Sequence, residues 1–221
     1  MTPLVYLHGF ASAPSSEKAR CYGPRLAALG FDVRIPDLNQ PDFSGLTLSR
    51  NLRHTERALG DGPGVLVGSS LGGYTAALFA HLHPERVRAL VLMAPALNMV
   101  SLLHRRYGTE AIESWRQRGS VPVEHPYLPG PATLSYAFLE DAQRWARLRP
   151  RPRCPTLVLH GRHDAEVPIE GSRRLAAELP HIELVTFEAG HALTEVLEPV
   201  WERIAAFLAP FASPPAERER H

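Results

Sequence analysis

The chain contains one short motif whose residue types could perform nucleophilic chemistry. Residues 68–72 read Gly-Ser-Ser-Leu-Gly, a G-x-S-x-G pattern that follows a short apolar run and precedes a helical stretch. In a sharp turn from strand to helix, side chains two residues before and after the nucleophile would collide, and Gly68 and Gly72 occupy those positions. Ser70 would then present its hydroxyl at a helix N-terminus, where negative charge is favoured. The motif therefore predicts Ser70 as a nucleophile.

A serine hydroxyl needs a base that takes its proton. His191 follows the last predicted strand and precedes the last predicted helix, so it can reach back across the strand ends. Asp164 follows the preceding strand and would hold the imidazole in the correct tautomer, with Glu166 as the alternative acid. The order Ser70, Asp164, His191 is the nucleophile–acid–base order that accompanies this motif.

An acyl-transfer reaction also needs hydrogen-bond donors for the oxyanion. One donor is expected to be the backbone N–H of Leu71, directly after the nucleophile. The other is expected to be the N–H of Phe10, in the loop after the first predicted strand, where Gly9 permits an unusual turn. The oxyanion loop, the nucleophile, the acid and the base therefore follow one another along the chain in the order that a single site requires.

The elements that must position these groups alternate between strand and helix. Apolar runs predict strands at Pro3–His8, Asp32–Asp37, Gly64–Gly68, Ala89–Pro95, Thr156–Gly161 and Glu183–Glu188. Helices are predicted at about 15–29, 44–59, 71–82, 171–179 and 195–208. Because the runs lack polar alternation, both faces of each strand should be covered. The pattern predicts an α/β fold, a doubly wound, mostly parallel sheet of about six strands.

One long segment interrupts this alternation. We interpret residues 96–150 as a small helical lid inserted into a core of residues 1–95 and 151–212, with a flexible tail at 213–221. A helix is predicted at 109–118, and a second stretch has apolar side chains at helical spacing: Leu134, Phe138, Ala142, Trp145 and Leu148. Phe138 and Trp145 are the candidates for the wall of a substrate pocket.

The composition narrows the class of protein. The chain has 221 residues, a formal net charge of +1, 44% hydrophobic residues and 21% charged residues, which excludes wholesale disorder. No basic face stands out, so we expect no nucleic-acid partner. Lys18 is the only lysine among 24 cationic residues, which we interpret as coding bias. No apolar run is long enough to span a membrane.

The two cysteines and the N-terminal residues indicate in which cellular compartment the protein resides. Cys21 and Cys154 are far apart, with no spacing typical of a metal site or a redox motif. Residues 1–10 lack the pattern of a signal peptide. We therefore expect a cytoplasmic protein with reduced thiols and no bound metal. The sequence carries no signal for an oligomeric state.

The assembled motifs resemble the α/β-hydrolase superfamily over essentially the whole chain. The opening segment 6–14, with Lys18 and Ala19 after it, is similar to that of small bacterial YqiA-type esterases. Segments 68–74, 161–168 and 190–191 resemble the nucleophile, acid and base loops of the superfamily. Residues 96–150 look closer to the caps of mitochondrial acyl-protein thioesterases of this superfamily.

This resemblance implies a serine esterase that acts on a small-molecule ester or thioester through an acyl-enzyme, without a cofactor. An acyl thioesterase or a carbon–carbon bond hydrolase would use the same three residues. A serine peptidase would usually carry a larger gating domain, and a haloalkane dehalogenase would need a carboxylate in place of Ser70. A catalytically silent binding protein on this fold is the alternative from another class.

Overall fold

A single parallel sheet forms the centre of the molecule in the computed structural model, which describes residues 1–213. Its strands are β1 (Thr2–Leu7), β2 (Phe31–Arg34), β3 (Gly64–Ser69), β4 (Val87–Met93), β7 (Thr156–Gly161) and β8 (Ile182–Phe187). They are ordered β2-β1-β3-β4-β7-β8, and every neighbouring pair is parallel. The prediction of about six parallel strands is confirmed.

Helices cover both faces of this sheet. They are α1 (Glu17–Ala28), α2 (Leu48–Leu59), α3 (Leu71–Leu82), α6 (Glu170–Glu178) and α7 (Leu197–Leu208). Apolar side chains of α1 and α7 form one core cluster with the sheet, and those of α2, α3 and α6 form another. Along β3, Val65 and Val67 belong to the first cluster and Leu66 to the second. Burial on both faces explains why this strand lacks polar residues.

The strand order reverses around β1, whose neighbours are β2 on one side and β3 on the other. In open α/β sheets, ligands bind in the crevice outside the carboxyl ends of the strands at such a reversal. The loop after β1 contains Phe10, and the turn after β3 contains Ser70. The topology therefore brings these two segments to the same edge of the sheet.

The segment 96–150 contains more strand than the sequence predicted. It consists of α4 (Met99–Arg118), an antiparallel hairpin of β5 (Ser120–Val123) and β6 (Ala132–Ser135), and α5 (Ala137–Trp145). The helix α4 begins ten residues before the predicted one, and Gly108 within it has a non-helical φ of 76°. Leu134 lies in β6, so the expectation that it belongs to a helix with Phe138 is wrong.

The segment packs through its own hydrophobic cluster. This cluster joins Trp115, Leu134 and Phe138 to Leu71 and Tyr74 of α3. The indole N–H of Trp115 donates to the backbone oxygen of Leu134 at 3.0 Å, which ties α4 to the hairpin. The segment therefore rests on the helix that follows Ser70.

Two expectations concern the remainder of the chain. Of the predicted tail at 213–221, residues 214–221 lie outside the described part of the chain. Within residues 1–213, no helix is both long and apolar enough to cross a membrane.

Candidate active site

Ser70 occupies a strained turn between β3 and α3. Its φ of 53° and ψ of −114° lie outside the regions that a residue with a side chain ordinarily adopts, at a cost of about 1–3 kcal/mol. A Cβ on Gly68 would collide with the backbone oxygen of Gly72, and a Cβ on Gly72 would collide with that of Leu7. The Ser70 N–H donates to the Met93 oxygen at 2.9 Å, which fixes the turn against β4. The local geometry is that of a nucleophile elbow.

The structure brings the three predicted residues of the site into one hydrogen-bonded series. The Ser70 hydroxyl lies 3.0 Å from His191 Nε2, and His191 Nδ1 lies 2.7 Å from Asp164 Oδ2. The side chain of Asp164 is fully buried, whereas that of His191 is 16% exposed. If Nδ1 carries the proton and donates to Asp164, Nε2 is free to accept from Ser70. Glu166, the alternative acid, has no hydrogen bond to His191 within residues 1–213.

The carboxylate of Asp164 is surrounded by hydrogen-bond donors. Its Oδ1 accepts from the N–H groups of Glu166 at 3.0 Å and Val167 at 2.7 Å. Its Oδ2 faces His191 and also lies 3.1 Å from Nε2 of His160. Burial alone would raise the pKa of Asp164, but the donors from His160, His191 and Val167 outweigh it and hold the pKa well below its usual range. Asp164 is therefore a fixed negative charge at neutral pH.

His160 is a contact of Asp164 that sequence reasoning missed. The ring is fully buried at the end of β7. Its Nε2 lies 2.9 Å from the Val167 oxygen, and its Nδ1 lies 2.8 Å from the hydroxyl of Ser172 on α6. An Nε2–H tautomer satisfies both contacts if the Ser172 hydroxyl donates to Nδ1. The same Nε2–H lies between the Val167 oxygen and Asp164 Oδ2, so His160 holds the carboxylate in place.

The expected oxyanion donors lie beside Ser70. A Cβ on Gly9 would be 3.4 Å from Ser70 Cβ, so the loop after β1 closely approaches the nucleophile. The backbone N–H groups of Phe10 and Leu71 have no hydrogen-bond acceptor in the described part of the chain. Both donors are therefore available to a ligand at Ser70.

A histidine holds the loop that carries Phe10. The Leu38 N–H donates to His8 Nε2 at 3.0 Å, so the proton of this imidazole is on Nδ1 and donates to the Gly9 oxygen, also at 3.0 Å. Burial lowers the pKa of His8, which keeps the ring neutral. Because the Gly9 oxygen and the Phe10 N–H belong to one planar trans peptide, fixing the oxygen on one side turns the N–H to the other.

An apolar cavity of about 290 Å³ opens at Ser70 and His191. Most of its lining is apolar and includes Phe138, Met99, Leu103 and Val167, and three charged side chains also lie at its wall: Arg105, Arg106 and Glu166. Trp145 does not line it, contrary to expectation: this side chain lies near the end of α5, and its indole N–H donates to the Ser49 hydroxyl at 2.9 Å. Trp145 therefore joins α5 to α2 instead of shaping the cavity. Among residues 1–213, no cluster of side chains could hold a metal ion.

Solved structures show which fold the chain has. The α/β hydrolase domain-containing protein 10 from mouse superposes with a TM-score of 0.77, covering 95% of this chain and 90% of that one at 20% identity. Likeness at this level concerns the fold alone, which is the α/β-hydrolase fold. The model of the uncharacterised protein family UPF0227 matches residues 3–209, and the chain belongs to that family. The resemblance to YqiA-type proteins is thereby confirmed.

Two similar proteins are hydrolases with different substrates in their names. The human mitochondrial palmitoyl-protein thioesterase ABHD10 is 33% identical over 184 residues, which are 78% of this chain. The match spans only 60% of the length of that relative. The 2-hydroxy-6-oxo-6-phenylhexa-2,4-dienoate hydrolase of Burkholderia cepacia is 26% identical, covering 92% of this chain and 84% of its own length.

Proposed function

We propose that this protein is a serine hydrolase that cleaves carboxylic esters through an acyl-enzyme intermediate. The observation that carries the proposal is the hydrogen-bonded series from Ser70 through His191 to Asp164, with distances of 3.0 and 2.7 Å. Such a series lets the imidazole take the serine proton while the buried carboxylate stabilises the cation that forms.

The reaction would proceed in two halves. Ser70 Oγ attacks the acyl carbon while its proton passes to His191, and the carbonyl oxygen becomes an oxyanion between the N–H groups of Phe10 and Leu71. The tetrahedral intermediate then breaks its bond to the alcohol, which leaves with the proton from His191. In the second half, water gives a proton to His191 and attacks the acyl carbon. The bond to Ser70 Oγ then breaks, His191 returns the proton to Oγ, and the acid leaves.

The acyl group would occupy the apolar cavity at Ser70. With about 290 Å³, this cavity lies at the lower end of ordinary ligand pockets, which span about 300–1,000 Å³. A short or medium-length acyl chain fits this volume better than a palmitoyl chain. Segment 96–150 supplies Met99, Leu103 and Phe138 to the cavity wall, so we propose that it acts as a lid.

An acyl thioesterase is the second candidate, favoured by the name of the human relative. The same residues would act, with a thiolate in place of the alkoxide as leaving group. The name of the Burkholderia relative makes carbon–carbon bond hydrolysis a further alternative on the same residues.

Turnover of p-nitrophenyl esters from acetate to palmitate, beside acyl-CoA thioesters, tests these candidates. Ser70→Ala should lower kcat by at least about 10³-fold with the fold intact. The matched control is Ser69→Ala, because this adjacent, buried serine makes no hydrogen bond to His191 within the described chain. Equal activity of Ser70→Ala and wild type would refute the assignment of the nucleophile.

Labelling with a fluorophosphonate separates an enzyme from a silent binding protein. Only a serine activated by its base reacts readily with this reagent, so wild type and Ser69→Ala should label and Ser70→Ala should not. A folded wild-type protein that neither labels nor turns over any ester would favour the binding protein. The ratio of ester to thioester turnover then distinguishes the two enzymatic candidates.

A further inference from the structure

A second cavity, of about 580 Å³, opens on another side of the nucleophile. It shares Phe10, Ser70, Arg106, Glu166 and His191 with the apolar cavity. Its remaining wall is largely polar and comes from the loop after β1, the start of α1 and the segment near residue 125. Ser70 therefore stands between an apolar compartment and a polar one, which indicates a substrate with two chemically different halves.

The polar compartment contains the only lysine of the chain. Lys18 lies in the first turn of α1, is partly buried and lines this cavity together with Ser70 and His191. Among residues 1–213, it makes no side-chain hydrogen bond and no ion pair within 4.0 Å. Some arginines do have such partners, as Arg25 has Glu198 and Arg34 has Asp32.

The charges around Lys18 leave its ammonium without a direct partner. Burial lowers the pKa of Lys18 to about 8, although the carboxylates of Asp164, Glu166, Glu17 and Glu195 act in the opposite direction. Asp164 is already engaged by the donors described above. The carboxylates thus attract the lysine from a distance, and burial of the ammonium is incompletely compensated.

Four further charged side chains line the same cavity: Arg106 from α4, Glu17 of α1, Glu124 after β5 and Glu166 after β7. These are one arginine and three carboxylates, and all four side chains are exposed, so solvent screens their charges. The neutral His8 also lines the wall. Among these groups, Lys18 is the cation that is partly buried at the cavity wall, which makes its ammonium the strongest attractor for a negative group.

We propose that Lys18 binds an anionic group in the leaving-group half of the substrate, so that the preferred substrates are esters of an apolar acid with a negatively charged alcohol. This inference rests on the proposed function, which assigns the acyl half to the apolar cavity. The alcohol half then lies in the polar cavity, where His191 can protonate it. Lys18 is a specificity-determining residue in this scheme and takes no part in proton transfer.

A matched pair of esters tests the proposal. Para-carboxyphenyl butanoate carries an anionic leaving group, and para-carbamoylphenyl butanoate is its neutral counterpart of nearly the same shape. The measured quantity is the ratio of kcat/KM for the anionic ester to that for the neutral ester. Effects on Ser70 or His191 cancel in this ratio because both esters are cleaved by the same steps.

The variants are Lys18→Met, Lys18→Arg and the control Arg20→Met. Lys18→Met should lower the ratio by about tenfold or more, the size expected for one partly desolvated charge pair. Lys18→Arg should retain most of the preference. Arg20 is exposed on the same helix, so Arg20→Met removes the same charge from α1 and should leave the ratio within about twofold of wild type.

The pH dependence provides an independent check. Below about pH 8 the ammonium of Lys18 is charged, and above it the charge is lost. The wild-type ratio should therefore fall as the pH rises from about 7 to about 9.5, whereas the Lys18→Met ratio should stay flat. A wild-type ratio that rises or stays constant over this range contradicts the proposal.

A structural role for Lys18 predicts a different result. If the ammonium only compensates nearby carboxylates, Lys18→Met should slow both esters equally, and an unchanged ratio overturns the proposal. Calorimetric binding of the products para-hydroxybenzoate and para-hydroxybenzamide makes the test independent of turnover. Wild type should bind the acid more tightly than Lys18→Met does, with no such difference for the amide. If the protein cleaves neither ester, the proposed function fails. The calorimetric comparison of the two products then still decides whether Lys18 binds an anion.

Discussion

Replacement of Asp164 by asparagine preserves the shape of the side chain but turns one of its two hydrogen-bond acceptors into a donor. In the structure, the two carboxylate oxygens face four donors: backbone N–H groups of Glu166 and Val167 on one side, and the rings of His191 and His160 on the other. An amide offers one oxygen and one NH₂ group. Whichever way it is turned, its NH₂ group faces two donors.

The cost follows from these contacts. The backbone donors cannot move, so the amide oxygen should stay with them and its NH₂ group should face the two imidazoles. His191 would then turn away or carry its proton on Nε2, where it could no longer accept from Ser70. An exchange of this type costs about 10⁴-fold in kcat in serine proteases, and we expect a loss of about 10³–10⁴-fold. Loss of a hydrogen bond to a charged group should lower the free energy of unfolding by about 1.5–3 kcal/mol.

The assay is hydrolysis of p-nitrophenyl butanoate at neutral pH, with thermal unfolding measured on the same samples. Glu166→Gln is the matched control, because it neutralises a carboxylate two residues away that has no hydrogen bond to His191 in the described chain. In this control variant, kcat should fall by less than about fivefold. If Glu166→Gln lost activity and Asp164→Asn kept it, Glu166 would be the acid. Small losses in both variants would refute the role of a carboxylate altogether.

Three further results are expected. Because the pKa of Asp164 is lowered in the folded state, its contribution to stability is present above about pH 4 and lost below it, so the unfolding temperatures of wild type and Asp164→Asn should converge in acid. In Gly161→Ala, the new methyl group would collide with the backbone of the loop that carries the base, so activity should fall at least about tenfold, whereas Gly62→Ala, in open space, should be neutral within about 0.5 kcal/mol. Phe138→Leu should lengthen the preferred acyl chain in the p-nitrophenyl ester series, while Trp145→Phe should lower the unfolding free energy by about 1 kcal/mol without changing that preference.

The part of the site that the sequence predicts is the part that local backbone geometry dictates. The elbow tolerates only glycine at positions 68 and 72, because any Cβ there would overlap backbone oxygen atoms. A G-x-S-x-G pattern after a strand therefore indicates Ser70 without knowledge of the tertiary fold. The alternating order of strands and helices likewise follows from residues that are neighbours in the chain, and it predicted the parallel sheet.

The insertion was harder to predict because its elements depend on contacts that are distant in sequence. Leu134 and Phe138 are four residues apart, which matches one turn of a helix. The structure nevertheless places Leu134 in β6, where it is opposite Val121 of β5. Burial of Leu134 among α4 and α5 decides its conformation, and such burial leaves no periodic signal within a short segment.

The places of two polar residues at the site could not be predicted from the sequence. His160 ends a strand, and only the fold shows that its ring faces the carboxylate of Asp164. The scarcity of lysine indicates coding bias at the level of composition, and only the fold places Lys18 at a cavity with Ser70. The role of His160 depends on its contact with Asp164, and that of Lys18 on its place beside Ser70. Composition and periodicity do not reveal such spatial neighbours.

The site consists of a turn set by the sheet and of cavity walls that can vary. This difference explains how relatives with different substrates in their names can share one fold. The elbow and the strand ends are set by the sheet, whereas the cavity walls come from α1, α4 and α5, whose side chains can change without disturbing the turn at Ser70. A thioesterase and a carbon–carbon bond hydrolase can therefore both resemble this chain. Substitutions at Lys18 or Phe138 should accordingly change which ester is preferred, whereas substitutions at Gly68 or Gly72 should abolish turnover of every substrate.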